Sequence, residues 1–310
     1  MFSTYTIAVM YATGVIEVML PVVAIYAIYF YKPFKISSLI CGLACYFIVD
    51  SLIISNIYTI VIAIANDTYF FEDHIVLSLI IECGLTAALV SPIEYWILLK
   101  VRHGKMMLSD AMVMGAGYTM VPFLTNGALY ISNARICQYA NQDRLSELAN
   151  ETYTEDVLDS LVESVQASFA TSTAFSQIAE MAAVIIAQIV ILLVAVSLAM
   201  LLFFAVKRRK KYLLAVSCGI DLVFQLIRYG SSYVLGYWPS FVVVLLVGAG
   251  AVCFIIRFLR YYRMQQIELL KKQKDFEERR HQKHMEEMEA KKKSKEQNSR
   301  PHNQQDEEKK

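Results

Sequence analysis

Histidine is scarce in this chain, and what there is lies in the wrong places for chemistry inside a membrane. The 310 residues contain five, His74, His103, His281, His284 and His302, each in a hydrophilic stretch between or after long apolar runs. There is no HExxH metal-binding helix and no GxSxG nucleophile elbow. Without a histidine in the apolar runs, neither a Ser-His nor a Cys-His pair can form there. The six cysteines, Cys41, Cys45, Cys83, Cys137, Cys218 and Cys253, show no disulfide framework or zinc ribbon, and all but Cys137 sit within apolar runs. No metal and no cofactor is implied. Net charge is +1, so the total offers no electrostatic footprint for nucleic acid, and only the distribution of charge is informative.

Apolar residues are abundant instead. They make up 56% of the chain and mean hydropathy is +0.44, which places the protein in lipid rather than in water. Seven runs are each long enough for the roughly 20 helical residues that cross a bilayer. They fall at 5–31, 37–64, 75–99, 107–132, 173–206, 212–235 and 239–262. The expected fold is an all-α bundle of about seven transmembrane helices over 1–262, followed by a charged tail over 263–310. The first run lacks the basic start and small-residue cleavage site of a signal peptide, and its Glu17 and Pro21 suit a packed, retained span.

Lysine and arginine alternate between loops. Lys32 and Lys35, then Lys100, Arg102 and Lys105, then the run KRRKK at 207–211 mark one side, while NDTYFFED at 66–73 and the acidic segment 141–163 mark the other. The positive-inside rule puts the amino terminus outside and the carboxyl terminus in the cytoplasm, with the cell membrane the expected location. The sequons Asn66-Asp-Thr68 and Asn150-Glu-Thr152 both fall on the outer side. KRRKK sits flush against a span and reads as a topology anchor in contact with anionic lipid.

Two segments outside the bilayer carry helical patterns. In the outer loop 133–172, Val157, Leu158, Leu161, Val162, Val165 and Phe169 recur at helical spacing opposite an acidic face, with Thr154 as a candidate N-cap. That pattern predicts an amphipathic helix packed on the bundle. After Arg263, Glu268 with Lys272, Glu287 with Lys291 and Glu289 with Lys293 stand four apart and extend the seventh span as a solvated helix. Residues from about 294 read as disordered.

Ionisable residues within spans are functional candidates because lipid tolerates them poorly. They are Glu17, Asp50, Glu82, Glu94, Glu180, Asp221 and Arg228, with Asn126, Gln177, Gln188 and Gln225 as neutral partners. Acids outnumber the one base, so several carboxyls either carry a proton or face water. Asp221, Gln225 and Arg228 share one helical face, where acid and base could neutralise each other or bridge through the amide.

The order of segments resembles the YhfC family of intramembrane proteases, relatives of the glutamate-dependent CAAX-protease and bacteriocin-processing membrane enzymes. The resemblance rests on YKPFKISSLICG at 31–42, on AALVSPIEYWILLKVRHGKMMLSDAMVMGAGYTMVPFLTNGALYIS at 87–132, and on LLFFAVKRRKKYLLAVSCGIDLVF at 201–224. It covers most of the membrane region and none of the tail. Aligned on these flanks, the family's glutamate pair falls on Ser91 and Pro92, its arginine on Tyr95 and its tyrosine on Trp96. Its motif histidine falls on Tyr118, the following glutamate on Pro122, and its late histidine and aspartate on Gly219 and Val223. The resemblance thus implies a protease scaffold without its catalytic groups, a pseudoenzyme whose groove holds a transmembrane segment of another protein. Glu94 stands at a small-residue position of the family, not at its catalytic acid. A seven-helix receptor, an active protease using Glu94 with Glu180 or Asp221, and a proton-coupled transporter using Asp50 and Asp221 are the competing readings. Nothing in the sequence sets an oligomeric state.

Overall fold

The computed structural model describes residues 2–65, 70–100, 107–148, 154–169, 174–230 and 237–298. Both sequons and the basic residues Arg102, His103 and Lys105 lie outside the described residues. Among the described residues the regular elements are helices and there is no strand. In chain order they are α1 (Thr4–Tyr31), α2 (Ile36–Ala65), α3 (Ile75–Lys100), α4 (Leu108–Asn141), α5 (Glu155–Phe169), α6 (Ala174–Arg208), α7 (Tyr212–Tyr229) and α8 (Tyr237–Asn298).

Six of these, α1, α2, α3, α6, α7 and α8, are long and apolar enough to cross a membrane. The chain is a multi-pass helical membrane protein. Large apolar side chains point outward from the bundle, as lipid requires: Val23, Tyr26 and Phe30 on α1, Leu52 and Ile64 on α2, Val223 on α7.

The fourth run departs from expectation in two ways. Its helix, α4, continues to Asn141 instead of ending at 132, because no proline or glycine interrupts it there and its end is tied down. Asn141 accepts from the backbone N–H of Phe2 at 2.8 Å and donates to the Phe2 carbonyl at 2.7 Å. At about 1.5 Å per residue, 34 residues span roughly 51 Å, long enough to cross. Yet α4 lacks the sustained apolar stretch of the other six, and its position explains why. It is buried along Ala111, Val113, Gly115, Ala116, Thr119, Phe123 and Gly127, walled by protein and relieved of the need for apolar side chains on every face.

Glycines bring the neighbouring backbones close to α4. A Cβ on Gly127 would meet Val18 Cγ2 of α1 at 2.7 Å and the Gly14 carbonyl at 2.8 Å. On Gly117 it would meet the Leu39 carbonyl of α2 at 2.8 Å, and on Gly115 the Ala195 carbonyl of α6 at 2.7 Å. Small residues at crossings are how helices associate where the solvent is itself apolar.

At one end of the bundle the motifs YKPF and SDA meet. The Asp110 carboxylate, 1% exposed, accepts from the Lys35 N–H at 2.9 Å, the Ser38 hydroxyl at 3.1 Å and the Met107 N–H at 3.0 Å. Ser109 donates to the Pro33 carbonyl at 3.0 Å. One side chain therefore caps α4 and fastens α2 beside it. At the opposite end α5 packs on the bundle as its pattern predicts. Leu158 is buried, and Val162 and Val165 lie against Phe2, Ile7, Met10, Ala134 and Cys137. Val157 stays exposed.

The chain divides into two compact units, Met1–Cys253 and Phe254–Lys310. In the second unit the helix runs to Asn298, past the expected onset of disorder near 294. The rest of the tail lies outside the described residues. The helix is solvent-exposed there, and Glu268 pairs with Lys272 at 2.8 Å.

Candidate binding chamber

A chamber of about 210 Å³ opens among α2, α3, α4, α6 and α7. From α2 come Tyr46 and Asp50, the latter halfway along its helix. From α3 come Glu82, Thr86, Val90, Ser91 and Glu94, the first, second, third and last of which stand four residues apart on one stripe. Tyr118, Thr119 and Pro122 enter from α4. One turn after another of α6 supplies the apolar wall: Ile191, Val194, Ala195 and Leu198. The last side is α7, with Asp221, Phe224, Gln225, Arg228 and Tyr229.

Three lining residues with acidic or basic side chains sit in wide, π-helical turns. Asp50 lies within Phe47–Ile54, Glu82 within Ile80–Leu85, and Arg228 within Leu226–Gly230. Such turns are rare in helices and concentrate at functional sites. Here all three deliver a charge-bearing group to the same space.

The chamber holds four acidic side chains and one basic one. Asp50 accepts from the Tyr118 hydroxyl at 3.0 Å, and the Tyr46 and Tyr118 rings meet edge-to-face at 5.8 Å. Gln225 donates to Asp221 at 3.3 Å. The Tyr58 hydroxyl reaches Glu82 at 3.5 Å, a weak contact, and Ser78 at 3.0 Å. Ser91 and Ser217 share a hydrogen bond of 3.0 Å that pins α3 to α7. Glu94 differs from the others. It is 4% exposed and lines the chamber, yet among the described residues no hydrogen bond reaches its carboxyl. The partner expected nearby is absent because the side chain faces the cavity instead of a neighbouring helix.

Of the two arrangements open to this face, direct neutralisation of Asp221 by Arg228 does not occur among the described residues, while Gln225 does bond Asp221. Among the described residues no ion pair joins Arg228 to any of the four acids; its guanidinium lies 4.7 Å from the Tyr229 ring centre. The reason is the π-helical turn between them, which takes more residues per revolution and rotates position 228 away from its α-helical register with 221. All six cysteines are free thiols. No three His, Cys, Asp or Glu side chains converge closely enough to hold a metal ion among the described residues.

Of the positions marked by the family resemblance, Ser91, Tyr118 and Pro122 line the chamber, while Pro92 and Tyr95 are half-buried beside it and Trp96 is exposed. Gly219 has nothing within 4 Å of a built Cβ, and Val223 is 57% exposed, so both lie on the outward face of α7. The pair with the same four-residue spacing that does turn inward stands two residues earlier. Ser217 is fully buried against Ser91, and Asp221 lines the chamber.

The remaining polar candidates lie elsewhere. Glu17 is 1% exposed in α1, and neither carboxyl oxygen meets a hydrogen-bond partner among the described residues. Gln177 accepts from Thr6 at 2.8 Å, Glu180 from Ser176 at 3.0 Å, and Gln188 is buried in α6. Asn126 is half-buried on α4 away from the chamber lining.

Against this geometry, no family model, no curated protein and no solved structure matches the chain. What the fold and the site define is a class: a multi-pass helical membrane protein with an acid-lined chamber enclosed by five of its helices.

Proposed function

We propose that this is a cell-membrane protein on an intramembrane-protease-like scaffold that has kept the binding chamber and lost the catalytic set, and that it binds a transmembrane segment of another protein without cutting it. The observation that carries the reading is the Glu94 carboxyl, buried within the bundle and lining the chamber with no hydrogen-bond partner among the described residues. An unmet buried polar group costs about 1–3 kcal/mol, and of the unpartnered carboxyls Glu17 and Glu94 only Glu94 lines the chamber. A carboxyl left open is one that an incoming group completes.

The scaffold reading is supported by Ser91, Tyr118 and Pro122, which stand on the chamber wall where the resemblance puts a glutamate, a histidine and a second glutamate. The orientation follows from charge, with the loops carrying Lys32, Lys35, Lys100 and KRRKK in the cytoplasm.

One observation favours a second reading. If the alignment of α7 shifts by two residues, the family's late acid falls on Asp221, across the same chamber from Glu94. Two carboxyls lining one cavity are the kind of pair that general acid–base hydrolysis requires. The two readings part in one experiment: purified protein reconstituted with labelled transmembrane peptides, followed by gel and mass analysis. Peptide retained and intact supports binding. Cleavage that disappears in both Glu94→Gln and Asp221→Asn establishes the carboxyl protease instead.

A further inference from the structure

The chemistry of the chamber restricts what can complete it. Four acids face one base, and the base lies against Tyr229 with no ion pair to any of them. An anion would meet mostly carboxyls. A bare metal ion finds no three ligands converging among the described residues. A compact organic cation fits better, because its N–H groups can donate to Glu94 while the other acids of the lining offset its charge.

Size and surroundings narrow it further. At about 210 Å³ the chamber falls short of the roughly 300–1,000 Å³ of a drug-sized pocket, so it accepts a head group and not a whole ligand. A second, apolar pocket of about 150 Å³ adjoins it between α6, α7 and α8. The two share Ile191, Phe224 and Arg228, and the second continues along Ala187, Phe241 and Val244. A charged head in the first and a hydrocarbon stem in the second describe an amphiphilic ammonium.

We propose that the chamber binds a primary ammonium group on an apolar stem, with Glu94 as its main acceptor and the α6–α8 pocket holding the stem. Two sources carry that chemistry: a membrane-soluble alkylamine, or a lysine within a partner's transmembrane segment. The proposal rests on the chamber being a binding site, as argued above, and specifies what it recognises.

The test uses the full chain in neutral-lipid nanodiscs with empty nanodiscs as the blank. Four probes are compared by competition against a photoreactive alkylamine: a long-chain alkylamine, the matching alcohol, a transmembrane peptide with a central lysine, and the same peptide with norleucine. The ammonium carriers should compete at least tenfold better than their neutral counterparts. Glu94→Gln and Asp221→Asn should each weaken that competition at least tenfold, while Glu180→Gln, outside the chamber, should not. Size-exclusion profiles and unfolding midpoints confirm that each variant folds, and Glu94→Asp, which keeps the charge on a shorter stem, should retain part of the affinity if Glu94→Gln proves unstable. Amine and alcohol competing equally, or labelling unchanged in folded Glu94→Gln, overturns the proposal. Lysine and norleucine peptides binding equally would refute the ammonium preference while leaving segment binding intact. Alkylamine binding with neither peptide bound would uphold the ammonium site and refute the segment-binding reading.

Discussion

Replacing Asp110 tests how this bundle is fastened. Its carboxylate receives three donors, the backbone N–H groups of Lys35 and Met107 and the hydroxyl of Ser38, at 2.9, 3.0 and 3.1 Å. Hydrogen bonds to a charged acceptor contribute about 1.5–3 kcal/mol each. Lys35 and Met107 are themselves exposed, so water can reach both backbone donors once the carboxylate is gone, and the lower end of that range applies. Two backbone bonds at that end, about 3 kcal/mol together, with roughly 1–3 more for the buried Ser38 hydroxyl left without its acceptor, give a loss of about 4–6 kcal/mol for Asp110→Ala. Asp110→Asn keeps one oxygen, which can still serve Lys35 and Ser38, but turns an amide donor toward the Met107 N–H. About half the loss is expected. The assay is reversible unfolding in mixed micelles, with denaturant midpoints for wild type and both variants at one detergent composition. The order should be wild type, Asn, Ala. An Asp110→Ala variant within about 0.5 kcal/mol of wild type, the range of ordinary surface changes, would refute the clamp and with it the pairing of α2 and α4 that sets Asp50 opposite Tyr118.

Three further outcomes are expected. Gly127→Ala should destabilise by about 1–3 kcal/mol, because a Cβ there meets backbone of α1 at 2.8 Å and backbone cannot step aside, whereas Gly219→Ala, with open space around it, should be neutral or stabilise by up to about 1 kcal/mol; unfolding midpoints of the two variants decide. Leu158→Ala should cost about 2–5 kcal/mol of α5 docking, since the side chain is 2% exposed, and limited proteolysis at the outer surface should quicken accordingly. In the second unit the Glu268 carboxyl is held below its ordinary range by its hydrogen bond and charge contact with Lys272. A depressed folded-state value means the pair's contribution is present above the unfolded-state carboxylate range and fades as pH falls through the folded-state value. Helicity of this segment by circular dichroism should therefore drop on acidification, less so at high salt and in Glu268→Gln.

Much of the fold could be read in the sequence because lipid enforces simple rules. Apolar runs of bilayer length became helices, and the alternation of Val157 through Val165 became a docked amphipathic helix. The misreadings have physical causes. Apolarity marks the end of a helix only where lipid surrounds it, so α4, walled by protein, runs beyond the apolar run to Asn141. For the chamber, the ionisable residues Asp50, Glu82, Glu94, Asp221 and Arg228 stood out singly in the sequence, while their convergence did not. A signal was available in the stripe Glu82, Thr86, Val90, Glu94, which runs down one side of α3 at four-residue spacing. The π-helical turns left no such trace, and they decide which way Asp50, Glu82 and Arg228 point. The contribution of Tyr229 depends on one of the same turns, Leu226–Gly230.

The central claim is that the chamber receives a side chain of a partner's transmembrane segment and leaves that segment whole. A photoreactive amino acid placed at Thr119, on the chamber wall but outside the acid set, reports this directly in cells followed by mass spectrometry of the adducts. The account predicts intact transmembrane segments crosslinked at position 119, with yield reduced in Glu94→Gln. Adducts that carry only cleaved fragments, or an adduct profile that Glu94→Gln does not alter, would contradict it.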